Sequence, residues 1–450
     1  MFKTYFEFLS KQNQAYIDSI KLYSFYNSIY VKSFYDSIIE EKYKAYDDYL
    51  YEKWLKKTDN EFDKTLRTKD FTSLLSKYFN SLVDLSSIYR KMGYPIEYLN
   101  WLVDFSVERI ASLAFLATDN YPYQTSHNIV YTRQKTRLLH YFNNDKAKID
   151  KTTEQGIIPV SKTPILIVYA PINRFHILDL TQNSSVIRKL LDKGLDVYLL
   201  DWGDPNNNED HLSLSNYINY IDEAVSYILS ATNSADQVNL FGYCWGGIFS
   251  LIYTALNNNK IKNLILIATP VDFSKDKTIL ASWSKYIDSD KIIEEFGHME
   301  GRILDLVFML RNPPRYTFDK YWKMLNKLYD KEFMNTFIAV EKWLYNTPSI
   351  PGKLYLQMIN DCYRNNNLIS NTMKLDNKII DLSRVDVPLL TVIAERDDLA
   401  SPESCLAVND CVSSTDKKTL KFNGGHVGLC ISNKAHKTLW PEIFEWILSR

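Results

Sequence analysis

The sequence predicts an α/β protein: a doubly wound, mostly parallel sheet with an inserted helical cap and an N-terminal all-helical extension. Three observations carry this prediction. From about Thr125, short apolar runs rich in β-branched residues alternate with helical patterns, as buried parallel strands and their crossovers do. Near Asp272 the alternation stops and the chain reads as helices to about Leu375, after which strands resume at Val387. Before Gly93 there is no glycine or proline, so nothing interrupts a helical reading of the first stretch.

In that first stretch Tyr16, Tyr23 and Tyr30 recur every seven residues, as do Ile20 and Phe34 with Asn27 between them. Together they place an aromatic stripe on one helix face. Shorter helical patterns follow, from about Asp70 to Met92 and from Pro95 to Leu116. The stripe either packs against the rest of the chain or docks a partner helix or an apolar particle. Its spacing does not choose between them.

The segment HNIVYTRQKTRLLHY then reads as a hairpin leading into the sheet. Ile165 to Ala170 is a strand, Leu178 to Leu191 a helix and Val197 to Asp201 a strand. Leu212 to Ala231 is a long helix, Val238 to Phe241 a buried strand, Ile248 to Leu256 a helix and Leu264 to Ala268 a strand. In the cap, Pro313-Pro314, Pro348 and Pro351 are the punctuation. Val387 to Ala394 and Thr419 to Phe422 complete the sheet, and a last helix runs from about Lys434 to Ser449. The expected organisation is a helical region over 1–120 and a catalytic domain over 121–450, with the cap at about 273–378.

Composition narrows the function classes. A net charge of -1 gives no bulk electrostatic case for nucleic acid or an acidic membrane. No apolar run approaches the roughly 18 residues of a membrane span. The opening MFKTYFEFLSKQNQ lacks the apolar core of a signal peptide. Five cysteines (Cys244, Cys362, Cys405, Cys411 and Cys430) lie far apart without CxxC spacing, which favours a reducing compartment and no structural metal site. The expected location is cytoplasmic.

The chemistry concentrates at Leu240-Phe241-Gly242-Tyr243-Cys244-Trp245-Gly246-Gly247. A strand runs into a tight turn of the form Gly-x-nucleophile-x-Gly and then into a helix, the elbow of the α/β-hydrolase fold with cysteine in the place usually held by serine. Gly242 and Gly246 remove side chains that would collide around a strained nucleophile, and Gly247 lets the helix approach the strand. The ordinary alternative is a glycine-rich turn with a buried free cysteine. Against it, the chain has only 13 glycines in 450 residues, well under the roughly 7% average. Gly242, Gly246 and Gly247 flank Cys244, and Gly424, Gly425 and Gly428 flank His426, so a scarce residue is gathered beside one nucleophile and one base.

The order of the remaining groups fits the same fold. Asp397 follows the late strand directly, and His426 lies in a glycine-rich loop after the last strand. Cys244, Asp397 and His426 thus stand in the order nucleophile, acid, histidine, each at a strand's carboxyl end. His426 would withdraw the thiol proton and Asp397 would orient the imidazole, with Asp398 the alternative acid. The oxyanion donors would be the backbone N–H of Trp245 and one from the turn after Ala170; Pro171 has none, which points to Ile172. The other histidines (His127, His140, His176, His211, His298 and His436) read as packing or surface residues, and the other four cysteines as inert thiols.

These residues resemble the polyhydroxyalkanoate synthases, most closely the shorter class III type, whose Gly-x-Cys-x-Gly-Gly box is similar to GYCWGG. APINRFHILDL (170–180), VYLLDWGDP (197–205), ERDDLASPES (395–404), GGHVGL (424–429) and EKWLYNTPSIPG in the cap look like further segments of that family. The resemblance covers about Thr125 to Arg450. It departs at Asp398, where many members carry His or Asn, at Ser401-Pro402, where Pro-Pro is frequent, and in the N-terminal region of roughly 120 residues, long for a class III catalytic subunit.

The resemblance implies an acyltransferase that polymerises (R)-3-hydroxyacyl-CoA, such as short-chain 3-hydroxybutyryl-CoA, into storage polyester. Cys244 is then the acyl-accepting nucleophile, His426 its base and Asp397 the triad acid. CoA is the leaving group and no cofactor is needed. The implied partners are the growing polyester chain, a second copy of the chain and a second helical synthase subunit, at polyester granules. A thioesterase or intracellular polyester depolymerase would share the fold and the triad. An inactive granule-associated scaffold would have no use for Cys244, Asp397 and His426 together.

Overall fold

The structure, a computed structural model, describes residues 125–142, 163–205, 207–232, 236–311 and 330–450, with isolated positions elsewhere. The tyrosine stripe and the pattern from Pro95 to Leu116 lie outside the described residues, as does Pro313-Pro314; of the pattern from Asp70 to Met92 only Ser73, Lys77, Asn80 and Asp84 are described, each helical. The chain divides into two compact units. One comprises residues 116–278, 298–301 and 331–450; the other comprises 1–115, 279–297 and 302–330.

The first unit holds an eight-stranded sheet. Its strands are β1 (His127–Arg133), β2 (Thr136–Tyr141), β3 (Ile165–Val168), β4 (Val197–Asp201), β5 (Val238–Tyr243), β6 (Ile261–Ile267), β7 (Leu389–Ala394) and β8 (Lys417–Phe422). Their spatial order is β1-β2-β4-β3-β5-β6-β7-β8. The leading hairpin pairs antiparallel and joins β4 antiparallel; every later pairing in the sheet is parallel. The residues explain this layout. ILIV, VYLLD, VNLFGY and LLTVIA are buried at every position, as strands covered on both faces must be. β8, at one edge, alternates towards its end, burying Leu420 and Phe422 and exposing Lys421.

The covering helices follow the same logic. In α2 (Leu214–Thr232), Leu214, Tyr217, Ile218, Ile221, Val225 and Ile228 repeat at three- and four-residue intervals and are all buried. The Asn216 side-chain oxygen accepts from the Ser213 N–H and hydroxyl, both at 2.8 Å, and so fixes the turn that starts it. The segment expected as one helix from Leu178 to Leu191 is broken. A 3-10 turn, Phe175–Leu178, ends on its first residue, a second spans Gln182–Ser184, and α1 (Val186–Asp192) follows. The cause is local competition: Asp179 accepts from the Thr125 N–H at 2.6 Å and the Thr125 hydroxyl at 2.8 Å, and Thr181 caps the second turn. α3 begins at Trp245, three residues earlier than expected, and ends at Leu256.

In the second unit, α4 (Ser289–Phe296) is capped by Asp288, whose carboxylate accepts from the Lys291 N–H at 3.1 Å, and is closed by Gly297 at φ +80°. Lys291 also pairs with Asp84 at 3.1 Å, and Lys11 pairs with the same carboxylate at 2.7 Å. Burial would raise the Asp84 pKa, but the two lysines together hold it below the ordinary value. Back in the sheet-bearing unit, α5 (Lys331–Leu344) and α6 (Gly352–Gln357) lead into a π-helical turn, Met358–Arg364, before the chain returns to β7.

Candidate active site

The elbow is built by β5, α3 and the backbone of β6. Cys244 sits between strand and helix at φ 55° and ψ -125°, a conformation that costs a non-glycine residue about 1–3 kcal/mol. Its neighbours hold it there. The Cys244 N–H donates to the Ile267 carbonyl at 3.0 Å, and the Cys244 carbonyl accepts from Gly247 at 2.9 Å. The glycines are required by close approach, with one difference in partner from the sequence reading. A Cβ on Gly242 would overlap the Gly247 Cα, and one on Gly246 would overlap the Val168 carbonyl at the end of β3. One on Gly247 would overlap the Thr269 hydroxyl just after β6.

Asp397 and His426 reach the same edge of the sheet from β7 and β8. The two loops are tied together, since Glu395 N–H donates to the Phe422 carbonyl at 2.8 Å and Arg396 N–H to the Gly424 carbonyl at 2.9 Å. Asp397 Oδ1 accepts from the Leu399 and Ala400 N–H groups at 2.8 and 2.9 Å, which aims Oδ2 at His426 Nδ1, 2.7 Å away. It is Asp397, not Asp398, that meets the imidazole. In the histidine loop only Gly424 is sterically demanded, because a Cβ there would strike the Phe422 ring; Gly425 and Gly428 have room.

The imidazole is buried and interacts with the Cys244 side chain as well. Burial alone would depress the His426 pKa, but the Asp397 carboxylate and then Cys244 outweigh it and lift the pKa to about 10. Tyr243, which sequence reasoning missed, completes the cradle. Its hydroxyl donates to the His426 carbonyl at 2.7 Å and its ring meets the imidazole edge-on at 5.2 Å. The position before a nucleophile carries no sequence signal for that role.

Of the proposed oxyanion donors, Trp245 is the first residue of α3, so its N–H has no acceptor within the helix. Ile172 lies in the turn after β3, half-buried. That turn is braced by the segments singled out in the sequence. Trp343 Nε1 donates to the Arg174 carbonyl at 2.6 Å, Thr347 donates to the Asn173 side chain at 2.6 Å, and Arg174 pairs with Asp204 at 2.8 Å. NRF, DWGDP and KWLYNTP are therefore one assembly, and a small cavity lies among them, lined by Tyr169, Pro171, Arg174, Trp202 and Pro348.

The remaining candidates do not join the site. His140 pairs with Asp196, His436 bonds the Cys430 carbonyl, and Cys362, Cys405 and Cys430 are buried free thiols. Among the described residues there is no cluster of three metal-binding side chains. Nor is any helix there long and apolar enough to cross a membrane.

A cysteine in strained conformation on a strand-to-helix elbow, with an aspartate and a histidine on later strand ends, is the arrangement of the α/β-hydrolase class, and the sequence matches the alpha/beta hydrolase fold family over residues 175–429. Within that class the relatives are specific. The chain is 37% identical to the poly(3-hydroxyalkanoate) polymerase subunit PhaC of Haloarcula marismortui, over 73% of this chain and 68% of that one. It is 38% identical to the subunit of the same name from Thiocystis violacea, over 71% and 87%, and 37% identical to that from Allochromatium vinosum, over 66% and 83%. The chain belongs to the PhaC family of poly(3-hydroxyalkanoate) polymerases.

Proposed function

We propose that this chain polymerises (R)-3-hydroxyacyl-CoA, with short acyl groups such as 3-hydroxybutyryl preferred, through a thioester on Cys244. The observation that carries the reading is the single line Asp397–His426–Cys244 at the strained elbow, in a chain with close polymerase relatives. His426 takes the Cys244 proton and the sulfur attacks the substrate's thioester carbon. The C–S bond to CoA breaks, and the CoA sulfur leaves with the proton returned by His426. The 3-hydroxyl oxygen of another acyl unit then attacks the acyl-Cys244 carbonyl. Its proton passes to His426, an ester bond forms and the cysteine sulfur is freed. Asp397 stabilises the imidazolium in both halves, and the Trp245 and Ile172 N–H groups face the developing oxyanion.

The reaction needs no cofactor beyond the CoA carried by the substrate. The cap excludes water, which protects a thioester that must survive until an alcohol arrives. The N-terminal 120 residues serve association: with a second synthase subunit, a second copy of the chain, or the surface of a cytoplasmic polyester granule. Removing the first 115 residues tests this, and unchanged activity, oligomeric state and granule attachment would sink it.

The central test is incubation with (R)-3-hydroxybutyryl-CoA, following CoA release and product together beside Cys244→Ala. The expected result is CoA release with insoluble polyester, lost in the variant. Release with only free 3-hydroxy acid would make the protein a hydrolase instead.

A further inference from the structure

The π-helical turn Met358–Arg364 continues directly from α6. Such turns widen the helical ladder by one residue, re-aim the side chains that follow, and recur at functional sites. This one carries Tyr363 to the elbow. The Tyr363 hydroxyl accepts a hydrogen bond from Trp245 Nε1 at 3.1 Å, and its ring lies against Phe273 with centroids 4.4 Å apart. Asn366, one turn further along, accepts from the Phe273 N–H at 2.9 Å and donates to Asp272 at 2.8 Å. The phenol is thus fixed from two directions, by the residue after the nucleophile and by the start of the cap.

The clamp leaves one valence unused. Among the described residues the bond from Trp245 is the only hydrogen bond the phenol makes, so its own O–H has no acceptor. Tyr363 is half-buried, so its O–H stays within reach of an acceptor that a bound substrate brings. Burial first, then the negative charge of Asp276 and of Cys244, pushes the phenol's pKa well above its ordinary value, so it remains a donor at any working pH. The bond from Trp245, the residue after Cys244, and the contact of the two rings at 6.2 Å hold the phenol beside the elbow. Among the described residues the phenol makes no hydrogen bond to the cysteine sulfur.

We propose that Tyr363 is a specificity-determining residue whose O–H donates to the 3-hydroxyl oxygen of the acyl group carried on Cys244. The acyl carbonyl oxygen belongs to the backbone donors at the elbow. The 3-hydroxyl lies two carbons further out, within range of a donor that Trp245 holds beside the elbow. A hydroxyl oxygen accepts from the phenol while its own proton stays free to leave when that oxygen attacks. This assignment rests on the polymerase reading above, which supplies the 3-hydroxyacyl substrate.

The test is single-turnover CoA release by the full chain and by Tyr363→Phe, with (R)-3-hydroxybutyryl-CoA and with butyryl-CoA. The loss of one hydrogen bond to substrate predicts that the rate with the hydroxylated substrate falls about tenfold. The rate with butyryl-CoA stays within about twofold and doubles as the check that the variant is folded. Equal losses on both substrates would show a structural role only, and no loss on either would show no role; each overturns the assignment. Wild-type protein that releases CoA from neither substrate would instead overturn the polymerase reading, and the assignment with it.

Discussion

Two histidines in this chain are held by carboxylates, in different regions and to different effect. His426, in the loop after β8, gives Nδ1 to Asp397 at 2.7 Å and interacts with the Cys244 side chain as well. His298 sits where a two-residue strand, His298–Met299, pairs with Ile350–Pro351. Its Nδ1 meets Asp210 at 3.2 Å and its Nε2 meets Glu300 at 2.9 Å. Both histidines are raised. For His298 the hydrogen bond to Glu300 leads, burial opposes it, and Asp210 adds to the rise. A raised pKa therefore marks a paired imidazole, and says nothing about catalysis on its own. What separates the two is the second partner of the ring nitrogens. His298 spends both on carboxylates and becomes a clasp, whereas His426 gives one to Asp397 and also interacts with the Cys244 side chain.

The comparison breaks most visibly at its catalytic end. His426→Gln removes the base proposed for Cys244, and CoA release should fall by about 10⁴-fold or more, measured in single turnover. Asp397→Asn leaves the imidazole in place but without its charge partner and with the wrong tautomer favoured, a loss of about 10²–10⁴-fold. Asp398→Asn should stay within about threefold, because Oδ2 of Asp397 holds the imidazole. Equal losses at Asp397 and Asp398 would refute the division of labour drawn here.

Much of this site was legible because its signals are local. Cys244 stands in a turn whose glycines are each forced by a backbone or side-chain overlap. Asp397 and His426 follow buried strands in the order the fold demands. The strands themselves were legible because a strand buried on both faces must be apolar throughout; Val197–Asp201 appears as expected, residue for residue. The failures share a cause, which is partners distant in sequence. Leu178 to Leu191 reads as one helix until Asp179 is found bonded to Thr125, 54 residues away. Tyr363 reads as one tyrosine among many until a π-turn brings it to Trp245, 118 residues away. The glycines at His426 over-read in the other direction, since three looked shaped for chemistry and only Gly424 is sterically required.

The smallest effect sharpens the comparison at its structural end. His298→Gln should leave CoA release within about twofold, since neither ring nitrogen faces the nucleophile. Its signature is in stability against pH. The folded His298 pKa is raised above the ordinary 6.5, so its contribution is fully present below about pH 6.5 and is lost as pH climbs through the raised value. Thermal unfolding of wild type and His298→Gln should therefore differ by a few degrees near pH 6 and converge towards alkaline pH. His426→Gln follows the same sign over a wider window, with its difference from wild type persisting until pH passes about 10. A gap for His298→Gln that widened on the alkaline side would mean that the imidazole is held neutral between Asp210 and Glu300. The clasp would then be a hydrogen-bonded spacer rather than an ion pair.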